Sequence, residues 1–444
     1  VSKLIKFLEQ AGTVRGLQIF QILRFLTFFI TGVLLSKTFL TVRQIGIYES
    51  FVFLSGAFSF FWVSGILNSL LSRYDEHNPI KAASEIFNTG LLLITVNFAL
   101  VVLLFVFNKI IYSLIPENPE DIFPFLIAYI LLNNPTYLIE YILLLKKKPL
   151  RLISYGTTAF VLHLAAVFIP LLIGKDIEYM FYGILGLAIV KNIYLFLLLK
   201  KNGYFRINTS EWANQLSLAI PLTLSLLISG SAEYIDGLLI STHFGNDAFV
   251  VFRYGAKELP LATLMANSLS MAMVPILRNG ATISMQGLEK LKTETTGLMH
   301  LLFPLTILLL FFSPLIYPVL FRPEFSQSAG IFNIYLLLLI SRMLFPQSII
   351  MASQKTGIIF KTALIEISVN IVGSYLLMLK FGIMGVAIGT VIAFFSEKLI
   401  LTIWCHYRLK ISIRKYLPVK TWLIYTLILL AVYFSTLHFG DLLY

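Results

Sequence analysis

Long apolar blocks alternate with short polar stretches along the whole chain. A helix needs about 20 apolar residues to cross the hydrocarbon of a bilayer. On that measure the pattern predicts twelve spans, at 16–38, 46–71, 85–113, 123–144, 152–173, 180–199, 214–240, 247–277, 298–320, 328–350, 357–379 and 382–405. A further apolar stretch, Trp422 to Phe439, follows a basic linker and is a candidate thirteenth span. Every connection between spans is short, so no loop can hold a soluble domain. In residues 1–15 charges interrupt the apolar positions. That segment reads as an amphipathic helix on the membrane surface rather than a signal peptide.

The apolar blocks also repeat. GVLLSKTF (Gly32 to Phe39) matches GLLISTHF (Gly237 to Phe244), and GILGLAI (Gly183 to Ile189) matches GIMGVAI (Gly382 to Ile388). The two offsets are nearly equal. They pair span 1 with span 7 and span 6 with span 12. The expected fold is an all-α polytopic membrane protein of two pseudo-symmetric six-helix bundles, 16–206 and 207–410, with a basic linker and candidate extra helix over 411–444. Six is even, so both halves enter from the same side, as in transporters whose halves are related by an axis along the membrane normal. The glycines of the second match are read as sites of close helix packing.

Composition agrees. Of 444 residues, 58% are hydrophobic and 13% charged. A soluble domain is nearer about half apolar and about a quarter charged. The net charge of +12 does not point to nucleic acid, because the cations sit in the loops. With the N-terminus in the cytoplasm, roughly two thirds of the 34 lysines and arginines fall on inner segments, as the positive-inside bias requires. The outer segments hold Lys37, Arg43, Lys109, Lys175, Arg322 and Lys380. One cysteine, Cys405, excludes a disulfide framework within the chain. The histidines show no HExxH spacing, and no GxxxxGK[ST] loop occurs, so metalloprotease and P-loop chemistry are excluded.

Charges inside the spans carry the functional signal, since each is costly at mid-membrane. The cations are Arg24, Lys191, Arg253, Lys257, Arg342 and Lys398; the acids are Glu140, Glu233, Asp236, Glu258, Glu366 and Glu397. Arg253 and Lys257, four apart, are expected on one face of helix 8, and Glu233 and Asp236 on one face of helix 7. Two readings stand side by side. The acids neutralise the bases within a helical hairpin, or the bases face a wet cavity and hold an anion. Arg24, roughly 12 Å from the inner end of helix 1, has no acid within helical reach. It needs a partner on another helix, or water. Arg342 in helix 10 is similarly placed. Arginine stays charged and binds phosphate bidentately, so both suit a phosphate-bearing ligand.

The remaining charges favour structural readings. Lys191 is expected to snorkel to the inner surface. Glu397 and Lys398, being adjacent, are expected to pair with different helices. Glu366 and Asn370 form a polar stripe on helix 11, read first as interhelical hydrogen bonding and second as a proton or sodium site. Pro221 and Gly230 interrupt helix 7, and Pro260 interrupts helix 8. Freed backbone is tolerated where helices line a cavity or pack on neighbours.

Taken together, FGNDAFVVFRYGAKELPLATLMANSLSMAMVPIL, the repeated G-I-L/M-G-L/V-A-I and NIVGSYLLMLKFGIMGVAIGTVIA resemble the Wzx-type polysaccharide flippases. These are the O-antigen and exopolysaccharide members of the multidrug/oligosaccharidyl-lipid/polysaccharide exporter superfamily. The resemblance covers about residues 10 to 410 and is most specific over helices 7 and 8. It implies a V-shaped, MATE/MurJ-like pair of bundles around a cavity lined by helices 1, 2, 7 and 8. It implies a bacterial inner-membrane transporter, not an enzyme. The implied substrate is an oligosaccharide on undecaprenyl pyrophosphate, moved from the cytoplasmic to the periplasmic leaflet by alternating access. The implied partners are that lipid-linked oligosaccharide, membrane lipids and other polysaccharide assembly proteins. Pyrophosphate would meet Arg24, Arg253 and Lys257, with Arg342 added from its own chemistry. No cofactor is implied beyond a coupled proton or sodium ion. Glu233, Asp236, Glu258, Glu366 and Asn370 are the candidates for ion coupling or charge pairing.

Two rivals are weaker. A membrane polymerase or ligase usually carries a long catalytic external loop, which is missing here. A multidrug exporter of the same fold would favour an acid-dominated cavity, against Arg24, Arg253 and Lys257.

Overall fold

The computed structural model describes residues 12–74, 77–114, 119–279, 282–355 and 357–443. The expected surface helix over 1–15 falls largely outside them. Among the described residues the regular structure is helical, apart from a two-residue ladder pairing Arg278–Asn279 with Thr282–Ile283. The chain is an all-α polytopic membrane protein. Among the described residues nine helices are long and apolar enough to cross a bilayer, or up to twelve if each bent pair is one span. One of the nine is the candidate last span, Val419–Leu437.

Two compact units divide the chain between Gly230 and Ser231. The first unit contains α1 (Gly12–Ser36), α2 (Val42–Ala57), α3 (Phe60–Arg73), α4 (Pro79–Val106), α5 (Asn108–Leu114) and α6 (Pro119–Asn133). A 3-10 turn, Asn134–Tyr137, leads into α7 (Leu138–Leu145), followed by α8 (Pro149–Leu172) and α9 (Ile177–Asn202). The chain enters the second unit within α10 (Thr209–Gly255). There follow α11 (Pro260–Leu277), α12 (Met285–Leu320), α13 (Gln327–Leu336), α14 (Leu338–Arg342), α15 (Pro346–Ala352), α16 (Gly357–Phe381), α17 (Ile383–Arg408) and α18 (Val419–Leu443).

Helix starts follow local chemistry. Thr41 caps α2 reciprocally with Gln44, and Asn78 accepts from the Lys81 amide before Pro79 opens α4. Each satisfies backbone donors that the first helical turn leaves bare. In the first unit, aliphatic and aromatic side chains form the core, with Phe20, Trp62, Leu138 and Leu195 buried together. The outward faces stay apolar, as at Phe98 and Phe105. That is the surface a lipid solvent demands.

The fourth span is broken in the middle, and the break is internally satisfied. Pro135 has no N–H to give to the carbonyl four residues back, Leu131. Asn97 on α4 donates to that carbonyl at 3.0 Å and to Ile130 O at 3.1 Å. Asn192 on α9 donates to Leu132 O at 2.5 Å. Asn134 completes the knot through Ser59 and Asn97.

The eighth expected span, 247–277, is not one helix. Gly245 has φ 78°, so α10 contains a sharp break there. Helical structure stops again at Gly255 and restarts at Pro260. Proline disfavours helix in the residue before it and cannot donate from its nitrogen. Tyr317 and Ser328 take up carbonyls near this end, bonding Tyr254 O at 3.0 Å and Val251 O at 2.7 Å.

The matched sequences occupy comparable places. Gly32 to Phe39 closes α1 just before Thr41 caps the next helix, and Gly237 to Phe244 runs up to the Gly245 break. The glycine reading is corrected in part. A Cβ on Gly183 would lie 2.4 Å from Ala166 O, and one on Gly385 only 2.1 Å from Leu377 O, so both permit close packing. Gly382 instead takes φ +58° in the turn into α17, and Gly186 meets nothing.

Candidate functional site

In the first unit Arg24 forms a salt bridge with Glu140. Glu140 sits on α7, just past the Pro135 break, so the break delivers a carboxylate to the middle of the bundle. The guanidinium lies over the Phe20 ring at 4.8 Å and near Tyr137 at 5.8 Å. The Arg24 side chain keeps 27% of its surface accessible. Lys191 does not run to the surface as expected: its Nζ donates to Asn133 Oδ1 at 3.3 Å, beside the same break.

In the second unit Arg342, the last residue of α14, holds Glu258 in a fork. Nε donates to Oε2 at 3.1 Å, and Nη2 donates to Oε1 at 2.8 Å and Oε2 at 2.6 Å. Thr263 adds a hydroxyl donor at 3.0 Å, and Phe394 lies 5.4 Å from the guanidinium carbon. Glu258 belongs to the non-helical stretch between Gly255 and Pro260. Lys257 lies there too, whereas Arg253 lies in the last turn of the helix before it. The expectation that Arg253 and Lys257 share a helical face is therefore corrected. The helix stops between them because Pro260 follows. Both are half-buried.

Asp236 on α10 does not turn to the bases of the next segment. It is 1% exposed, and neutral donors surround it. Thr390 on α17 donates to Oδ2, joined by Tyr335 OH at 3.3 Å. Asn370 Nδ2 donates to Oδ1 at 3.2 Å, and Ser374 Oγ lies 3.5 Å from the same oxygen. Both hydroxyls have a second acceptor, Val386 O, at 3.2 Å. Asn370 Oδ1 is buried with no donor among the described residues. A hydroxyl proton that turns to Val386 O leaves oxygen lone pairs aimed at the carboxylate. One negative charge among neutral oxygens suits a proton or a monovalent hard cation, not a divalent metal. No cluster of three His, Cys, Asp or Glu side chains able to hold a metal occurs among the described residues.

Glu397 and Lys398, expected to pair with different helices, pair with each other at 3.0 Å, and Glu397 also accepts from Gln347 on α15 at 2.7 Å. Glu366 is half-buried within electrostatic range of Glu397, Lys398, Arg342 and Glu258. The side chain of Glu233 lies outside the described residues. The structure thus brings together Asp236 with Asn370, Arg342 with Glu258, and Arg24 with Glu140. Sequence reasoning missed Ser374, Thr390 and Tyr335. The spacing Asn370-x3-Ser374 was the one visible signal, since it puts both on one helical face.

No family model matches the sequence, and no curated protein matches it. Solved structures do resemble the fold. A lipid II flippase, MurJ in an inward closed conformation, superposes with TM-score 0.68 at 19% identity, covering 96% of this chain and 99% of that one. An inward-facing multidrug resistance MATE family transporter of the MOP superfamily gives 0.61 at 13% identity, covering 90% and 98%. A MATE protein in a straight conformation gives 0.54 at 14%, covering 90% and 95%. At such identities the likeness is one of fold.

Proposed function

We propose that this chain is a flippase of the bacterial inner membrane, with its N-terminus in the cytoplasm. It moves an oligosaccharide linked to undecaprenyl pyrophosphate from the cytoplasmic to the periplasmic leaflet by alternating access. The observation that carries the reading is the Arg24–Glu140 pair. A guanidinium placed within a membrane bundle keeps 27% of its side chain accessible while the Glu140 carboxylate holds it. Two oxygens of a pyrophosphate can meet the guanidinium fork as those of a carboxylate do, with more charge. It displaces Glu140 when substrate enters, and the pair re-forms when substrate leaves. Arg253, Lys257 and Arg342 are the further candidate anion contacts. A lipid-linked sugar has a head that cannot cross hydrocarbon and a tail that cannot leave it, so only a protein route between leaflets serves both.

Asp236, with Asn370, Ser374 and Thr390, is the proposed coupling site for a proton or sodium ion. Glu258 and Glu366 belong to charge pairs and their surroundings, and serve that role less directly.

Reconstitution with a defined lipid-linked oligosaccharide tests the proposal, scoring transfer between leaflets. Arg24→Ala and Arg253→Ala should each lower transfer about thirtyfold, as expected for loss of a charge-assisted contact, with normal amounts of protein in the membrane. Normal transfer by the double variant overturns the pyrophosphate assignment. Export of a cationic drug with no transfer of the lipid substrate would favour a multidrug exporter instead.

A further inference from the structure

A groove of about 490 Å³ runs between α8 and α9 in the first unit. Neither the anion contacts nor the coupling site accounts for it. Tyr155 and Tyr194 stack with ring centroids 5.7 Å apart, which sets the register of the two antiparallel helices. The lining can then be read by depth. Arg151 stands at the mouth. Ser154, Tyr155 and Tyr194 follow one turn in, then Thr158 with Lys191. The far end is apolar, at Leu162 and Leu187.

This order is that of a membrane lipid: charge, then hydrogen-bond donors, then hydrocarbon. Eleven residues separate Arg151 from Leu162, about 16 Å at 1.5 Å per residue. That is about half of the roughly 30 Å hydrocarbon core, the depth of one leaflet. The mouth is strongly basic. Lys146, Lys147 and Lys148 precede α8, and Lys200 and Lys201 lie in the last turn of α9 at the same end. Basic pockets between membrane helices favour anionic headgroups, each cation near the surface contributing about fivefold.

We propose that the α8/α9 groove is a binding site for an anionic bilayer phospholipid. Its phosphate rests on Arg151 and the lysine rim. Its ester carbonyls accept hydrogen bonds from Ser154, Thr158 and Lys191. One acyl chain lies along Ala159, Leu162, Leu187 and Val190. A zwitterionic lipid has the same tails but gains far less from the rim.

Native mass spectrometry of the full chain in detergent tests this, with equimolar phosphatidylglycerol and phosphatidylethanolamine as probes. The wild-type chain should retain phosphatidylglycerol about thirtyfold over phosphatidylethanolamine, as two surface cations at about fivefold each would give. Thr158→Trp, which fills the groove, and Arg151→Glu, which reverses its mouth, should each cut that retention about tenfold. Thr157→Trp, exposed and outside the groove lining, should leave it unchanged. Equal retention of the two lipids by the wild-type chain overturns the site without recourse to any variant. Full phosphatidylglycerol retention by Thr158→Trp overturns its location.

Discussion

Arg342 and Glu258 meet through three hydrogen bonds of 2.6 to 3.1 Å, from the last residue of α14 to a stretch where helical structure has stopped. Their side chains keep 20% and 24% of their surfaces accessible. A fully buried pair that loses one member costs about 3–5 kcal/mol, because the other charge is left bare. Partial exposure here lowers the expected cost of Arg342→Ala or Glu258→Ala to about 2–3 kcal/mol. Thermal unfolding in detergent should show both single variants destabilised. The double variant Arg342→Gln with Glu258→Gln should recover most of the loss. A double variant as unstable as the sum of the singles would mean that the pair is not the structural unit.

The Arg24–Glu140 contact separates two roles by one substitution. If Glu140 is a resting partner that substrate displaces, Glu140→Gln weakens the competitor and raises apparent affinity for a pyrophosphate-bearing lipid several-fold. If Glu140 only neutralises Arg24, the same variant loses stability and gains no affinity. Binding measured beside a melting curve distinguishes them.

Asp236 predicts an ion-linked stability. A ligand at about 100 times its Kd stabilises by about 2.7 kcal/mol when it binds only the folded state. The melting temperature should therefore rise in sodium relative to choline at equal ionic strength. Asp236→Asn should abolish that rise, and Thr390→Val should shrink it. An equal rise in Asp236→Asn would place the ion elsewhere. No sodium effect in the wild-type chain would leave the proton as the coupled ion, with transport then following a pH gradient.

The α16/α17 contact gives a packing prediction. A Cβ at position 385 would lie 2.1 Å from a backbone oxygen of α16, which cannot rotate away. Gly385→Ala should force the two helices apart and destabilise by about 1–3 kcal/mol. Gly186→Ala, at the matched position of the repeat, meets no neighbour and should stabilise by about 0.5–1 kcal/mol through helix propensity alone.

Hydrophobic length alone located most spans, because a bilayer sets that length. It failed at 247–277, where Gly245 and Pro260 divide the apolar stretch and put Lys257 on non-helical backbone. Pro260 was visible in the sequence; that it would end the helix before Lys257, rather than kink it, depended on Tyr317 and Ser328 being present to take up carbonyls. Asp236 and Asn370 stood out as polar groups in apolar helices. Ser374 and Thr390 did not, since hydroxyl residues are common in such helices and bond their own backbone. The partners of Arg24 and Arg342 lie 116 and 84 positions away. No helical periodicity reaches that far.

The fourth span sets a schedule for biogenesis. At its break the Leu132 carbonyl accepts from Asn192, a residue synthesised sixty positions later. Until the sixth span leaves the ribosome and enters the bilayer, the fourth must wait with that oxygen facing lipid, the translocation channel or a chaperone. Slowing translation between the two should prolong this vulnerable interval, and a protease acting on nascent chains should find its target there.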